Sequence, residues 1–257
     1  MQDFRNLDRQ EWHQRYLSQA GWTKHLRQHI FKKIAPQPDA RILEVGSGTG
    51  AIMQALYDEG YSKVSGVDLD YSSLAFSKKH HLSLETVMAD GYRLPFAASG
   101  FDIVYCHFLL MWTAYPERIL SEMQRVTRPG GWVMALAEPD YQARIDYPPP
   151  LDVLGKLQTE ALQAQGVDTR IGRKLRALFG QSGLEKIETG IIAAQWSAAE
   201  PLASDPTEWT MLHADLEGRL PPAALKEYAK KEQLAQKRGE RVLFIPTFYA
   251  IGKCPTV

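Results

Sequence analysis

The stretch Arg41–Gly50, RILEVGSGTG, constrains this chain more than any other segment. An apolar, β-branched run ends in glycines at positions 46, 48 and 50, so a strand turns at once through alternate positions that carry no side chain. The helical apolar spacing of Ala51–Glu59 follows directly. A strand–turn–helix of this kind lets the backbone approach a ligand closely and aims the first N–H groups of the helix at it. The segment therefore implies a nucleotide or a nucleoside-like cofactor. Gly46-x-Gly48-x-x-Ala51 also satisfies the loose dinucleotide fingerprint, which leaves the choice of cofactor to the surrounding sequence.

Around that turn, strand-like and helix-like segments alternate. Strands are predicted at Arg41–Val45, Lys63–Val67, Leu84–Met88, Asp102–Cys106 and Trp132–Ala137, with helices at Ala51–Glu59, Ser72–Lys79 and Pro116–Arg128. The strands read as apolar on both faces, which is the pattern of a parallel sheet covered by helices on both sides. Upstream, Arg9–Ile34 carries two helical patterns with a break expected at Gly21. After Glu138 the rhythm changes. EPDYQARIDYPPP reads as a loop, Leu151–Gln165 and Gly172–Ser182 as helices, and Leu184–Ile192 as a strand. SAAEPLASDPTEW reads as a linker, Glu208–Glu217 and Ala223–Gln236 as helices, and Val242–Gly252 as one final strand.

Charge and cysteine content narrow the function. Thirty basic and thirty acidic side chains cancel and no basic run concentrates them, so the electrostatic footprint of a nucleic-acid binder is missing. A small-molecule partner is expected, with no nucleic acid and no membrane, for a monomer or homodimer. The polar start MQDFRNLDRQEWHQRYL has no apolar core of a leader, which points to the cytoplasm. Cys106 and Cys254 have no ligand partners at useful spacing, so no metal site is expected.

Two carboxylates then define where a nucleoside can lie. Asp68 closes the second strand 22 positions after Gly46, where it can accept hydrogen bonds from ribose hydroxyls. It sits nearer the strand edge than Asp70, which suits a helix N-cap. Asp90 follows the third strand, placed either to meet an adenine amino group or to form a turn before Gly91.

With LEVGSGTG, VSGVDLD, ADGYRLPF, FDIVYCHFLL and RILSEMQRVTRPGGWVMALAEPD in this order, residues 35–140 resemble the class I S-adenosylmethionine-dependent methyltransferases that act on small molecules. The resemblance implies a doubly wound, mostly parallel seven-stranded α/β sheet with an antiparallel last strand. It also implies a lid over residues 1–35, a cofactor core over 36–140 and substrate-side elements over 141–257. For the cofactor S-adenosylmethionine, and its product S-adenosylhomocysteine, it implies a methionine site at Glu44, Gly46, Ser47, Gly48 and Gly50. Asp68 and Leu69 would hold the ribose and adenine, Asp90 and Gly91 the adenine, and Cys106, His107 and Tyr16 the methionine side. In RPGG, Pro129 is expected to end a helix.

Two rivals remain. A non-catalytic binding or scaffolding protein can use the same fold. A nicotinamide-dependent reductase needs a helical Tyr-x-x-x-Lys pair, and the only such spacing, Tyr249 to Lys253, falls on a predicted strand where it spans about 13 Å.

Methyl transfer is an in-line displacement, so positioning and water exclusion carry most of it, and a base is needed only for an acceptor of high pKa. His107, just past the fourth strand, is the candidate base; its alternative is a structural hydrogen bond. Trp12, Tyr16, Trp22, Trp112, Tyr141 and Trp209 are the candidate lining of an acceptor pocket. Phe108, Glu138, Asp140, His213 and the basic run Arg170, Arg173, Lys174 and Arg176 can each face substrate or serve packing, loop anchoring or a solvated face.

Overall fold

The strand Arg41–Val45 (β1) sits mid-sheet, and its neighbours fix where ligands can enter. The computed structural model describes residues 8–81, 83–192 and 206–256. The remaining strands are β2 (Lys63–Asp68), β3 (Glu85–Met88), β4 (Phe101–Cys106), β5 (Thr127–Pro139), β6 (Ile145–Tyr147), β7 (Glu185–Ile192), β8 (Val242–Phe244) and β9 (Thr247–Lys253). Helices are α1 (Arg9–Trp22), α2 (Lys24–Ile34), α3 (Ala51–Asp58), α4 (Tyr71–His80), α5 (Pro116–Val126), α6 (Leu151–Ala164), α7 (Ile171–Gln181), α8 (Pro206–Asp215) and α9 (Pro222–Lys237).

Seven strands pair in the order β3-β2-β1-β4-β5-β9-β7. β1 to β5 are parallel, and β9 runs antiparallel to both its neighbours. This is the doubly wound, mostly parallel sheet with a reversed last strand that the sequence resemblance implied. Its two faces follow from the period of two along each strand. Leu43, Val45, Val104, Cys106, Val133 and Ala135 point to one side, against α5 and α7. Ile42, Ile103, Tyr105, Met134 and Leu136 point to the other, against Ile30 and Phe31 of α2 and Met53 and Leu56 of α3. Each such fully buried aliphatic or aromatic side chain contributes about 1.5–3 kcal/mol. A third cluster, Leu151, Leu154, Leu212, Leu216 and Leu225, joins α6, α8 and α9 into a helical cap.

Several local expectations are corrected. α1 runs through Gly21 and ends at Thr23, whose backbone N–H donates to the Gln19 carbonyl at 3.3 Å. α5 already ends at Val126, because Arg128 precedes a proline and is pushed to extended backbone; RPGG lies inside β5. The expected loop after Glu138 contains β6, which pairs antiparallel with β8. Consequently Val242–Gly252 is two strands split at Pro246, with Asp140 N–H donating to the Pro246 carbonyl at 2.8 Å. β3 is a half-solvated edge, with Val87 and Met88 exposed. Of the expected linker, residues 197–205 lie outside the described residues and Pro206 opens α8.

Candidate functional site

Because β2 and β4 flank β1 on opposite sides, the connections leaving the C-terminal ends of β1 and β4 diverge and leave a crevice. A cavity of about 510 Å³ opens there. Its floor is Glu44 to Gly48; Asp68, Leu69, Asp90 and Gly91 line one end; Tyr16 and Trp12 of α1 roof it; His107, Trp112, Tyr141 and Gln158 line the other end.

The glycine turn needs its glycines for conformation and for clearance. Gly46, Gly48 and Gly50 have φ of 78°, 51° and 81°, in the left-handed region that side chains resist. At Gly48 a Cβ would also stand 2.9 Å from the Tyr16 ring. The turn is pinned from β2: Gly46 and Ser47 N–H donate to the Val67 carbonyl at 2.8 and 2.9 Å, and Gly48 N–H donates to Asp68 Oδ2 at 2.7 Å. Gly50 does not line the cavity; a Cβ there would stand 2.6 Å from Ser77 Oγ of α4, so this glycine is required by packing.

Asp68 braces two backbone segments, because its Oδ1 also accepts from Asp70 N–H at 2.8 Å. Burial is the largest influence on this carboxyl and moves its pKa up from 3.8. Asp70 is the N-cap of α4, accepting from Ser72 N–H at 3.0 Å. Leu69 is exposed at the cavity rim. Asp90 forms the turn anticipated for it, accepting from Tyr92 N–H at 2.9 Å, and also lines the cavity.

Glu44 is the buried acid of the floor, 2 % exposed, with the Tyr105 hydroxyl donating to it at 3.0 Å. Burial raises its pKa from 4.5 to about 8, so the carboxyl is protonated in the folded chain at neutral pH. An acid whose folded pKa lies above its unfolded one makes stability fall as pH rises between the two. His13, His81 and His107 are lowered from 6.5, so their linkage lies below that pH, while Glu138 is raised from 4.5 to about 7. From pH 7 to 8 Glu44 dominates. Urea unfolding of the ligand-free protein is expected to lose roughly 1 kcal/mol over that unit. Glu44→Gln is expected to flatten the slope; an equal slope in the variant counts against the assignment.

His107 is buried, and its Nε2 lies 2.8 Å from the Thr23 hydroxyl. Burial first, and then the Arg27 charge, lower its pKa to about 3. An imidazole of that basicity, with Nε2 engaged by Thr23, is a hydrogen-bond partner of the lid, which is the structural alternative for this residue. Phe108 follows with φ of 52°, a left-handed backbone that is costly for an aromatic residue and that re-aims the chain after β4. Glu138 holds what comes next: its Oε1 accepts from Leu109 and Leu110 N–H at 3.0 and 2.9 Å, and its Oε2 from Met111 N–H at 3.1 Å. That is the loop-anchoring alternative for Glu138. The Cys106 side chain is fully buried among Leu43, Val104 and Val133 and does not line the cavity, because its position in β4 turns it into the sheet core.

α1 is tied across the crevice at three points. Arg9 pairs with Asp70 at 3.0 Å, His13 Nδ1 meets Thr49 Oγ1 at 2.8 Å, and Thr23 meets His107. Tyr16 and Trp12, with ring centroids 5.7 Å apart, face the cavity from this helix. Trp22 does not: it is 46 % exposed and carries Arg15 over its ring at 4.6 Å. Trp209 packs on the cap cluster instead. Both are corrections to the expected lining, while Trp112 and Tyr141 do line the cavity.

Two of the four residues of the basic run are held in ion pairs: Arg173 Nη2 donates to buried Asp140 at 2.8 Å, and Lys174 pairs with Asp168 at 2.5 Å. His213 is exposed. Tyr249 lies on β9 and donates to Glu188 at 3.0 Å, so it forms no catalytic pair with Lys253. Among the described residues no cluster fit to hold a metal occurs and no helix is long and apolar enough to cross a membrane. The sequence reading missed Arg27, Thr23 and His13, and also Gln158 and Asp215 in the far wall. A threonine between two helical runs was the only local signal for any of them.

Known proteins resemble this chain in sequence and in fold. Residues 43–135 match the model of a family described as a methyltransferase domain. Demethylmenaquinone methyltransferase of Renibacterium salmoninarum is 32 % identical over 111 residues, 43 % of this chain and 46 % of that protein. The chain thus spans less than half the length of this relative. Demethylmenaquinone methyltransferase of Staphylococcus haemolyticus is 30 % identical over 192 residues, 65 % of this chain and 80 % of that protein. In fold, a solved chain from the complex of the Haloferax volcanii Trm112 methyltransferase activator with its putative methyltransferase matches 95 % of this chain and 94 % of its own. Its TM-score is 0.59 at 19 % identity. A sheet in this order, a glycine turn at its switch point, and a relative matched over most of its length together place the chain among the class I S-adenosylmethionine-dependent methyltransferases.

Proposed function

We propose that this chain transfers a methyl group from S-adenosylmethionine to a small organic acceptor. The observation that carries the reading is the roofed cavity at the β1–β4 switch point, with a glycine floor at one end and an aromatic wall at the other. The residues present suit a nucleoside with an amino-acid tail. The left-handed Gly48 lets the turn pass directly under the Tyr16 ring, Asp68 is braced at the edge, and Glu44 is a buried acid able to meet an ammonium group. In this reading Asp68 and Leu69 hold the ribose edge, Asp90 and Gly91 the adenine, and Glu44 with Gly46, Ser47 and Gly48 the methionine part. When bound, S-adenosylmethionine supplies an electrophilic methyl on a sulfonium.

The chain's own part is to hold, align and dry the reactants. Of residues 1–35, α1 and α2 act as the lid, through the ties of α1; residues 36–140 form the cofactor core; the described part of residues 141–257 shapes the acceptor side. Trp12, Tyr16, Trp112 and Tyr141 exclude water from the cavity and present flat apolar surfaces. The demethylmenaquinone methyltransferases among the relatives are named for an aromatic acceptor, and a wall of this kind supports an acceptor of that general class. Calorimetry with S-adenosylmethionine, S-adenosylhomocysteine, NADH and NADPH tests the cofactor. Saturable binding of the first two and none of the last two is expected; nicotinamide binding alone overturns the reading. A screen for transfer of labelled methyl to small organic acceptors separates the enzyme from a binding protein, which would stay silent.

A further inference from the structure

We propose that Arg27, Thr23 and His107 form a relay that fixes the His107 imidazole as an N–H donor, Nδ1–H toward the cavity, for an oxygen of the methyl acceptor. The acceptor part rests on the methyltransferase reading; the relay does not. Arg27 and Thr23 are 2 % and 1 % exposed. Arg27 Nη1 donates to the Ala20 carbonyl at 2.7 Å and to Thr23 Oγ1 at 2.9 Å. A hydroxyl that accepts from a guanidinium still has its own proton to give. Its nearest acceptor is His107 Nε2 at 2.8 Å, against 3.2 and 3.4 Å to the Gln19 and Ala20 carbonyls. Nε2 therefore carries the lone pair and Nδ1 the proton.

Nδ1 has no hydrogen-bond partner among the described residues and is not sealed off as a buried orphan, while His107 lines the cavity. Burial and the neighbouring guanidinium keep the ring uncharged, with its pKa lowered to about 3. A neutral ring with one fixed N–H recognises a carbonyl, phenolate or carboxylate oxygen and offers nothing to an ammonium. Because Thr23 is the junction of α1 and α2, the donor is set only while the lid is seated. The relay thus selects oxygen-bearing acceptors and ties that selection to closure.

Long-range proton–nitrogen spectra of the histidine-labelled full chain at pH 7 read the tautomer directly, with no turnover needed. The expected spectrum has His107 Nδ1 protonated and Nε2 bare. Thr23→Val keeps the shape and removes the hydroxyl, and is expected to give a mixture of tautomers, with Thr23→Ser restoring the single form. With S-adenosylhomocysteine saturating, 4-nitrophenolate is expected to shift the Nδ1 proton and benzylamine to leave it in place. An Nε2–H ring or an imidazolium in the unaltered protein, or an unchanged spectrum in Thr23→Val, overturns the relay. No shift with 4-nitrophenolate overturns the oxygen assignment. An intact tautomer in a protein that binds no S-adenosylhomocysteine sinks the methyltransferase reading and leaves the relay standing.

Discussion

Replacing Asp146 by Ala is expected to lower the unfolding free energy by about 3–5 kcal/mol, the range for breaking a buried ion pair by removing one partner. The Asp146 side chain is 3 % exposed and serves two arginines. Its Oδ2 accepts from Arg144 Nε at 2.5 Å, and its Oδ1 accepts from Arg144 Nη2 at 3.2 Å and from Arg241 Nη2 at 2.8 Å. Both guanidinium side chains are nearly buried, at 5 % and 6 % exposed, so water cannot replace the lost carboxylate. Arg241 keeps Glu232 at 2.9 Å, which holds the loss below that of two orphaned charges. For a chain of this size the shift amounts to about 10 °C in melting temperature.

The same network leads to the cavity. Arg144 Nη1 donates to Gln158 Oε1 at 2.5 Å, and Gln158 Nε2 donates to Asp215 Oδ2 at 2.8 Å, and both Gln158 and Asp215 line the far wall. The variant should therefore loosen the acceptor side while affinity for S-adenosylhomocysteine, for which the β1–β2 end is the proposed site, changes less than about threefold, below 1 kcal/mol. Urea unfolding together with calorimetry measures both. A stability loss under about 1 kcal/mol means that the carboxylate is solvated and that the network carries little.

Asp68→Ala is expected to weaken S-adenosylhomocysteine binding about 100-fold or more. The carboxylate accepts from Gly48 N–H at 2.7 Å and from Asp70 N–H at 2.8 Å, so its removal frees the glycine turn as well as the proposed ribose partner. A hydrogen bond to a charged group contributes about 1.5–3 kcal/mol, and about 2.7 kcal/mol is a hundredfold in affinity. Asp68→Asn keeps an oxygen for Gly48 and should lose about tenfold. Asp70→Ala removes the α4 cap, costing about 1 kcal/mol of stability with little change in affinity. If Asp70→Ala proves the more damaging of the two to binding, the ribose acceptor has been assigned to the wrong acid.

Much of this protein was legible in the chain. The strand boundaries of β1 and β4 fall within one residue of those read from the apolar runs, because a strand covered on both faces reads as a near-continuous apolar run, interrupted here only by Arg41, Glu44 and Asp102. The turn at Gly46–Gly50 and the edge position of Asp68 were legible for a similar reason: left-handed backbone and strand-end carboxylates leave marks at fixed local spacing. What the sequence could not state is which side chain meets which across the fold. β6 and β8 pair through residues about a hundred positions apart, as Ile145 with Phe244, and each is too short to show a period. Thr23 meets His107 across 84 positions, and Arg241 meets Asp146 across 95. Alternation along a strand says that Cys106 and His107 differ in facing, yet only the packed sheet decides that Cys106 enters the core and His107 meets the lid. Likewise Trp12 and Trp22 read alike on a helical pattern, and only the seating of α1 on the crevice turns one to the cavity and leaves the other exposed. Local patterns record solvent exposure and backbone conformation, which each segment settles largely by itself. The partners of buried polar groups are chosen where distant segments close, by the cost of leaving a donor or charge unpaired.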